Sequence, residues 1–237
     1  DFSALMEGRV DDRSDDEMRK ISCERGVLTR ADGSVRYSQG NSSVLVAVHG
    51  PIKVQRRDEI NDRATIQVIF KPATGAQSNL HSKYEVMLQE SLGHMILSNM
   101  HPCTKIQITV QVVEEEGSIL ACAINGSCMA LIDAGIQSSS LVSAINIAVA
   151  DNTSKMLLDP LRKEEQTATA CLTIGICSKS KGIVLSQTRG LVSRDQYLKA
   201  ASFAGKAVGK IDRFKRKFFD GIFMRALMET KEYKQQR

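Results

Sequence analysis

The sequence predicts an α+β fold in which mixed β-sheets pack against central helices and a long helix closes the chain. Three observations carry this. Short β-branched runs such as Val44-Leu-Val-Ala-Val48 recur along the chain, two apolar stretches with helical spacing interrupt them, and Ser193-Arg-Asp-Gln196 forms a capping box in front of a final amphipathic segment. The order is strands then helix, twice, with a closing helix. No close sequence repeat accompanies it.

Residues 1–20 are polar and highly charged, with Asp11, Asp12, Asp15 and Asp16 set among arginines, and are expected to form a flexible arm. The rest, 21–237, is expected to form a single domain. Asp32-Gly33 marks a turn, and Ser34 to Val54 reads as two strands broken at Gly40. Ala64 to Phe70 is a third strand, stopped by Lys71-Pro72. After a Gly/Ser/Gln/Asn loop over 73–81, the spacing of Val86, Leu88, Leu92, Met95 and Ile96 predicts a helix from Ser82 to about Met100. Ile106 to Val113 is a strand. Gly117 opens a second helix that runs to Asp133, with Gly135 where a C′ glycine belongs. That helix is apolar on nearly every side and rich in small residues, which predicts a central, closely packed position. Leu141–Val149, Met156–Leu158, Thr167–Ile176 and Gly182–Gln187 read as four further strands.

Tryptophan is absent and aromatics make up only 5% of the 237 residues, so the core must be aliphatic. No apolar run reaches the roughly 18 residues that suggest a membrane span, and the N-terminus lacks a secretory pattern. Asp1 is not an initiator, which makes Met6 the expected natural start. Six cysteines form no CxxC pair and no zinc-like cluster, so they read as reduced, mostly buried side chains of a cytosolic or nuclear protein. His49, inside an apolar strand, reads as a packed ring rather than a ligand. The net charge of +5 is uneven: Ser193–Arg237 holds 12 Lys/Arg against 5 Asp/Glu, a local +7, and the other residues sum to −2.

Three blocks of sequence carry a resemblance. Cys23-Glu-Arg-Gly through Val-His-Gly-Pro51 resembles the opening strands of RNase PH-like proteins. Glu116-Gly-Ser-Ile-Leu-Ala through Ala-Gly135 resembles their central helix, and Leu157-Leu-Asp-Pro onward to Thr173 resembles the strand that carries their catalytic carboxylates. Order and spacing agree over roughly residues 21–220. The chain is thus similar to the RNase PH-like ring subunits of the eukaryotic RNA exosome, which implies an RNase PH-like fold. Active members of that family shorten RNA from its 3′ end with inorganic phosphate.

The resemblance implies a phosphate cradle at the central helix N-terminus, made of a Gly-Thr-Arg tripeptide. Free N–H groups and the helix dipole attract the anion, and Arg clamps it. Here Gly117 and Ser118 are present, but the Arg position falls on Leu120, or on Ile119 if the alignment shifts by one. Glu114, Glu115 and Glu116 lie just upstream and oppose an anion by about 1 kcal/mol per close pair in water. The resemblance also implies two Asp residues six positions apart. The matching positions are Glu165, still a carboxylate, and Cys171, whose soft sulfur suits Mg²⁺ poorly. Their even spacing puts both on the same strand face, beside Thr167, Thr169 and Thr173, if no bulge intervenes. Asp159, Glu164 and Glu165 either gather into a residual Mg²⁺ site for hydrolysis or are solvated acids beside the Pro160 turn.

Nucleic-acid contacts are expected to be thin around residues 76–100, where Lys83 is the one permanent cation beside His81 and His94. The densest cations are Arg213, Lys215, Arg216 and Lys217, interleaved with Phe214, Phe218 and Phe219. They read as a nucleic-acid-binding cluster, as a nuclear-import signal, or as the solvated face of a helix whose stripe Tyr197, Ala201, Ala204, Val208 and Ile211, extended by Phe214, Phe218 and Ile222, is buried. The expected function is a non-catalytic exosome subunit without cofactor, in the nucleus, nucleolus and cytoplasm. Its expected partners are other RNase PH-like subunits, a second copy when isolated, and RNA or DNA; none is a membrane. A residual nuclease, or an accessory to a separate apoptotic nuclease, is the alternative.

Overall fold

The computed structural model describes residues 9, 11–55, 59–75, 77–150 and 155–235, with side chains through residue 222. Among these residues nine strands form two sheets. The first contains β1 (Ile21–Arg25), β2 (Gly33–Gln39), β3 (Ser42–Lys53), β4 (Thr65–Lys71) and β5 (Thr104–Glu114) in the order β1-β2-β3-β5-β4. All neighbours are antiparallel except β4 and β5, which run parallel because α1 (Asn79–Gly93) crosses over between them. The second sheet is antiparallel, in the order β7-β6-β8-β9, from β6 (Val142–Ala150), β7 (Lys155–Leu158), β8 (Ala170–Cys177) and β9 (Ile183–Gly190). Helix α2 (Ile119–Asp133) links the sheets, α3 (Arg162–Thr167) follows β7, and α4 (Arg194–Gln235) closes the chain.

The layers follow from which faces are apolar. Every residue of α2 from Ile119 to Leu131 is buried, as a helix apolar all round requires. One side packs on β2 and β3, where Gly126 lets the backbones close: a Cβ there would lie 3.0 Å from Val44 and 3.1 Å from Tyr37. The other side meets β6. That strand is buried on both faces, with Val142 and Ala144 in the first core cluster and Ile145, Ile147 and Val149 in the second, under α4. Burying each such aliphatic side chain contributes about 1.5–3 kcal/mol. The layers therefore run first sheet, α2, second sheet, α4.

Two buried polar residues fix the register of these layers. Asn125, in the middle of α2, donates to the Ala144 carbonyl (2.9 Å) and accepts its N–H (3.0 Å). Lys215 of α4 passes its Nζ to Asn125 Oδ1 (3.1 Å) and the Val142 carbonyl (2.8 Å). Helix ends match their sequence signals. Ser193 and Gln196 bond reciprocally at the start of α4, and Gly135 (φ 70°) ends α2 in a Schellman turn, with Ile136 N–H on Leu131 O and Gly135 N–H on Ile132 O.

The structure corrects four expectations. Helix α1 stops at Gly93, and Ser98–Met100 is a separate 3-10 turn. The strand expected from Thr167 begins at Ala170, because residues 162–167 form α3. Strand β1 is an added element. Finally, the arm is not free over its described part. Arg9 is buried on Glu164 and the Leu158 and Asp159 carbonyls, and Arg19 is buried on Asp159. Such a charged segment has little apolar surface to hold it, and two buried guanidiniums do so instead. Residues 1–8 and 10, Met6 among them, lie outside the described residues.

Candidate functional site

A cleft of about 310 Å³ opens where the α2 N-terminus meets the second sheet. Leu80 and Tyr84 of α1 and Gly117, Ser118 and Ile119 line one wall; Asn146, Arg162, Glu165, Cys171, Thr173, Gln187 and Arg189 line the other. Gly117 must be glycine: φ is +98°, and a Cβ would sit 2.7 Å from Arg162 N and Pro160 O. Ser118 is held in the left-handed region (φ 56°), as is Asp159 (φ 52°), a conformation that costs a non-glycine residue about 1–2 kcal/mol.

An anion already sits at the helix N-terminus, and it belongs to the chain. Glu165 Oε1 accepts the Ser118 N–H at 2.6 Å and Asn146 Nδ2 at 2.7 Å. Asn146 is oriented in turn by Thr173, whose hydroxyl donates to Oδ1 (3.4 Å). Burial pushes the Glu165 carboxyl above its ordinary value, against the opposing pull of Ser118 and Asn146. The carboxylate thus occupies the place where a free amide and the positive end of α2 attract phosphate.

The other expected site residues are brought near the cleft, though not into one group. Leu120 and Ile119, the two positions where the resemblance expects an Arg, are both buried in the first core cluster. Glu165 lies on α3 and Cys171 on β8, so they do not share a strand face; the Cys171 thiol reaches the Glu165 carbonyl at 3.7 Å. Burial pushes that thiol up to about 11, so it stays protonated and is a poor ligand. Asp159 and Glu164 are each taken up by a buried arginine. Glu164 receives both Nε and Nη2 of Arg9 at 3.2 Å. Asp159 is fully buried: burial raises its pKa, but the Arg19 guanidinium outweighs that and holds it below its ordinary value. Among the described residues no group of three or more His, Cys, Asp or Glu is placed to hold a metal ion. The three acids therefore do not fit the Mg²⁺ site that the residual-nuclease expectation requires.

Arg19 ties the cleft together. Beyond Asp159 it donates to Ser42 Oγ (3.2 Å), the Glu116 carbonyl (3.1 Å) and the Gly117 carbonyl (3.3 Å). One side chain so joins the N-terminal segment, both sheets and the loop before α2. Neither Arg19 nor Asn146, Arg162 and Arg189 stood out in the sequence, because a lone polar residue carries no periodic signal. Of the expected nucleic-acid contacts, Lys83 is exposed on α1 outside the cleft walls, and Arg213, Arg216 and Lys217 are exposed on α4. Lys215 is not. It is fully buried, and burial lowers its pKa. Phe214 and Phe218 pack against the first core cluster, and Phe219 is part of it.

Two sheets, an interleaved helix and an anion seat on that helix's N-terminus define an RNase PH-like protein. Residues 17–137 match the 3′ exoribonuclease family, domain 1, and residues 140–207 match its domain 2. The chain belongs to this RNase PH family. It is 32% identical to the Exosome complex exonuclease RRP46 homolog of Arabidopsis thaliana over 228 residues, covering 89% of this chain and 95% of that one. It is also 32% identical to the Exosome complex component rrp46 of Schizosaccharomyces pombe, over 76% of this chain and 80% of that one. The crystal structure of rice (Oryza sativa) Rrp46 shares 34% identity with a TM-score of 0.86, over 90% of this chain and all of that one. The archaeal Archaeoglobus fulgidus exosome with RNA bound to the active site aligns at a TM-score of 0.77 and 17% identity, over 89% of this chain and 93% of that one, which shows the common fold.

Proposed function

We propose that the chain is a ring subunit of the RNA exosome that supports 3′-to-5′ RNA processing and degradation without performing the chemistry itself. Its likeness to the RRP46 proteins supports the exosome assignment. One observation carries the absence of chemistry: Glu165 Oε1 takes the Ser118 N–H at 2.6 Å, so phosphate would have to displace a carboxylate that no arginine replaces. The neighbouring position that should hold the clamp is Leu120, whose side chain is committed to the core. With both features, an attacking phosphate meets a Ser118 amide already taken and no arginine beside it on α2, the nearest cleft cations being Arg162 and Arg189 on the opposite wall.

On this reading the partners are other RNase PH-like subunits, and an isolated chain pairs with a second copy through the surface those partners would cover. The protein then shares the nuclear, nucleolar and cytoplasmic distribution of the complex. No described helix is long and apolar enough to cross a membrane. The test is direct: purified protein is incubated with single-stranded RNA in orthophosphate buffer, and the products are resolved by chromatography. The expected result is intact RNA. Steady release of nucleoside diphosphates would overturn the proposal.

A further inference from the structure

Through Ile222, one side of α4 is buried: Ala200, Ala204, Ala207, Val208, Ile211, Lys215 and Phe219. The opposite side carries a row of cations. Lys199, Lys206, Lys210, Arg213 and Lys217 are all exposed. Steps of seven, four, three and four residues keep them on one line; at 3.6 residues per turn they fall within a wedge of about 60° and span about 27 Å. Among the described residues none of the five forms an ion pair. The Arg213 Nε bonds back to the Gly209 carbonyl (3.1 Å). Asp195 and Asp220 lie only at the two ends of the row, and Asp212 is turned inward, where it accepts the Ser143 hydroxyl at 2.6 Å.

The chemistry of this face selects its partner. A protein interface needs a buried apolar or aromatic anchor at its centre, and this wedge offers none: Phe203 is half-buried against the second core cluster. No Asn or Gln stands in the row to read a base edge. A straight, unpaired line of charges instead matches a repeating phosphodiester chain. We infer that the α4 row is a track for the backbone of single-stranded RNA, separate from the cleft and indifferent to base sequence. This goes beyond the proposed function and does not depend on it, since a subunit can hold RNA whether or not it cuts.

Fluorescence anisotropy with a labelled 20-nucleotide oligouridine, titrated over a range of salt concentrations, tests the track. Five phosphate contacts give a slope of log K against log salt of about −3.5. The variant Lys206→Glu/Lys210→Glu/Arg213→Glu is expected to reduce the slope to about −1.5 and to weaken binding about 100-fold at 0.1 M salt. The neutral Lys206→Gln/Lys210→Gln/Arg213→Gln variant should give the same slope with less repulsion, which covers any folding defect in the first. Lys71→Glu/Lys179→Glu/Lys181→Glu removes equal charge elsewhere on the surface, and its slope should equal that of the unmodified protein. Equal losses in both sets would reduce the effect to net charge and sink the track. So would absent binding, or displacement of the RNA by oligoglutamate at equal charge concentration, which would assign the row to acidic proteins.

Discussion

Arg19 grips both carboxylate oxygens of Asp159, with Nη2–Oδ1 at 2.6 Å and Nε–Oδ2 at 2.9 Å, and both side chains are buried, Asp159 completely. Removing one partner strands the other. Arg19→Met leaves a buried carboxylate and also releases the Glu116 and Gly117 carbonyls, so it is expected to cost about 3–5 kcal/mol in urea unfolding. Asp159→Asn should cost less, because Arg19 keeps Ser42 and the two carbonyls as acceptors. Losses below about 1 kcal/mol for both would mean that the pair contributes nothing to joining the sheets.

Asp159, fully buried, and Glu165, half-buried in the cleft wall, have opposite pH behaviour. Asp159 is held below its ordinary value, so its stabilising contribution is complete above the unfolded value of about 3.9 and disappears as pH falls through the lower folded value. Glu165 is raised, so folding favours its proton: stability rises as pH falls through the folded value and is fully gained below the unfolded value of about 4.3. Glu165→Gln, which keeps an acceptor for Ser118 and Asn146, is therefore expected to match or exceed the parent protein in stability at pH 7. Its advantage should vanish near pH 4. An advantage that grows on acidification would reverse the sign assigned to Glu165.

What the sequence disclosed and what it hid divide along physical lines. Local chemistry was legible: the Ser193/Gln196 box, the Gly135 turn and the all-apolar α2 each depend on residues within one or two turns. The aliphatic start of α2 was legible too, since Ile119 and Leu120, where the resemblance expects an Arg, both read as apolar and both are buried in the first core cluster. Hidden were the contacts between distant segments. Arg9 and Arg19 look like solvated charges until Glu164 and Asp159, more than a hundred residues away, fold against them. Glu165 reads as a strand residue because nothing in Arg162–Thr167 marks a helix as short as α3.

Lys215 shows the same limit within one helix. In sequence it belongs to the run Arg213–Lys217, yet its ammonium lies between Asn125 and the Val142 carbonyl. Lys215→Ala is expected to lose about 2–4 kcal/mol, from a cavity and unpaired acceptors, by denaturant unfolding. Lys215→Met fills the same space without a buried charge and should recover most of that loss. Neither should alter the salt slope of RNA binding. A changed slope in a fully folded Lys215→Met protein would return this residue to the surface cluster.

The seat at the α2 N-terminus gives a direct experiment on whether Glu165 keeps phosphate out of the cleft. Glu165→Ala removes the internal carboxylate but leaves the Ser118 N–H, Asn146 and the positive helix end in place. Orthophosphate should then bind the variant and not the parent. At phosphate ten times its Kd, the variant gains about 1.4 kcal/mol, a rise in Tm of about 3–6 °C for a chain of this size. Thermal unfolding at constant ionic strength, with chloride as the comparison salt, reads that rise. Degradation of RNA should not follow, since Leu120 still denies phosphate its arginine and Cys171 is still a protonated thiol. Equal phosphate responses in the parent and the variant would show that Glu165 does not occupy the anion's place. A variant that binds phosphate and also releases nucleoside diphosphates would locate the whole defect in that single carboxylate.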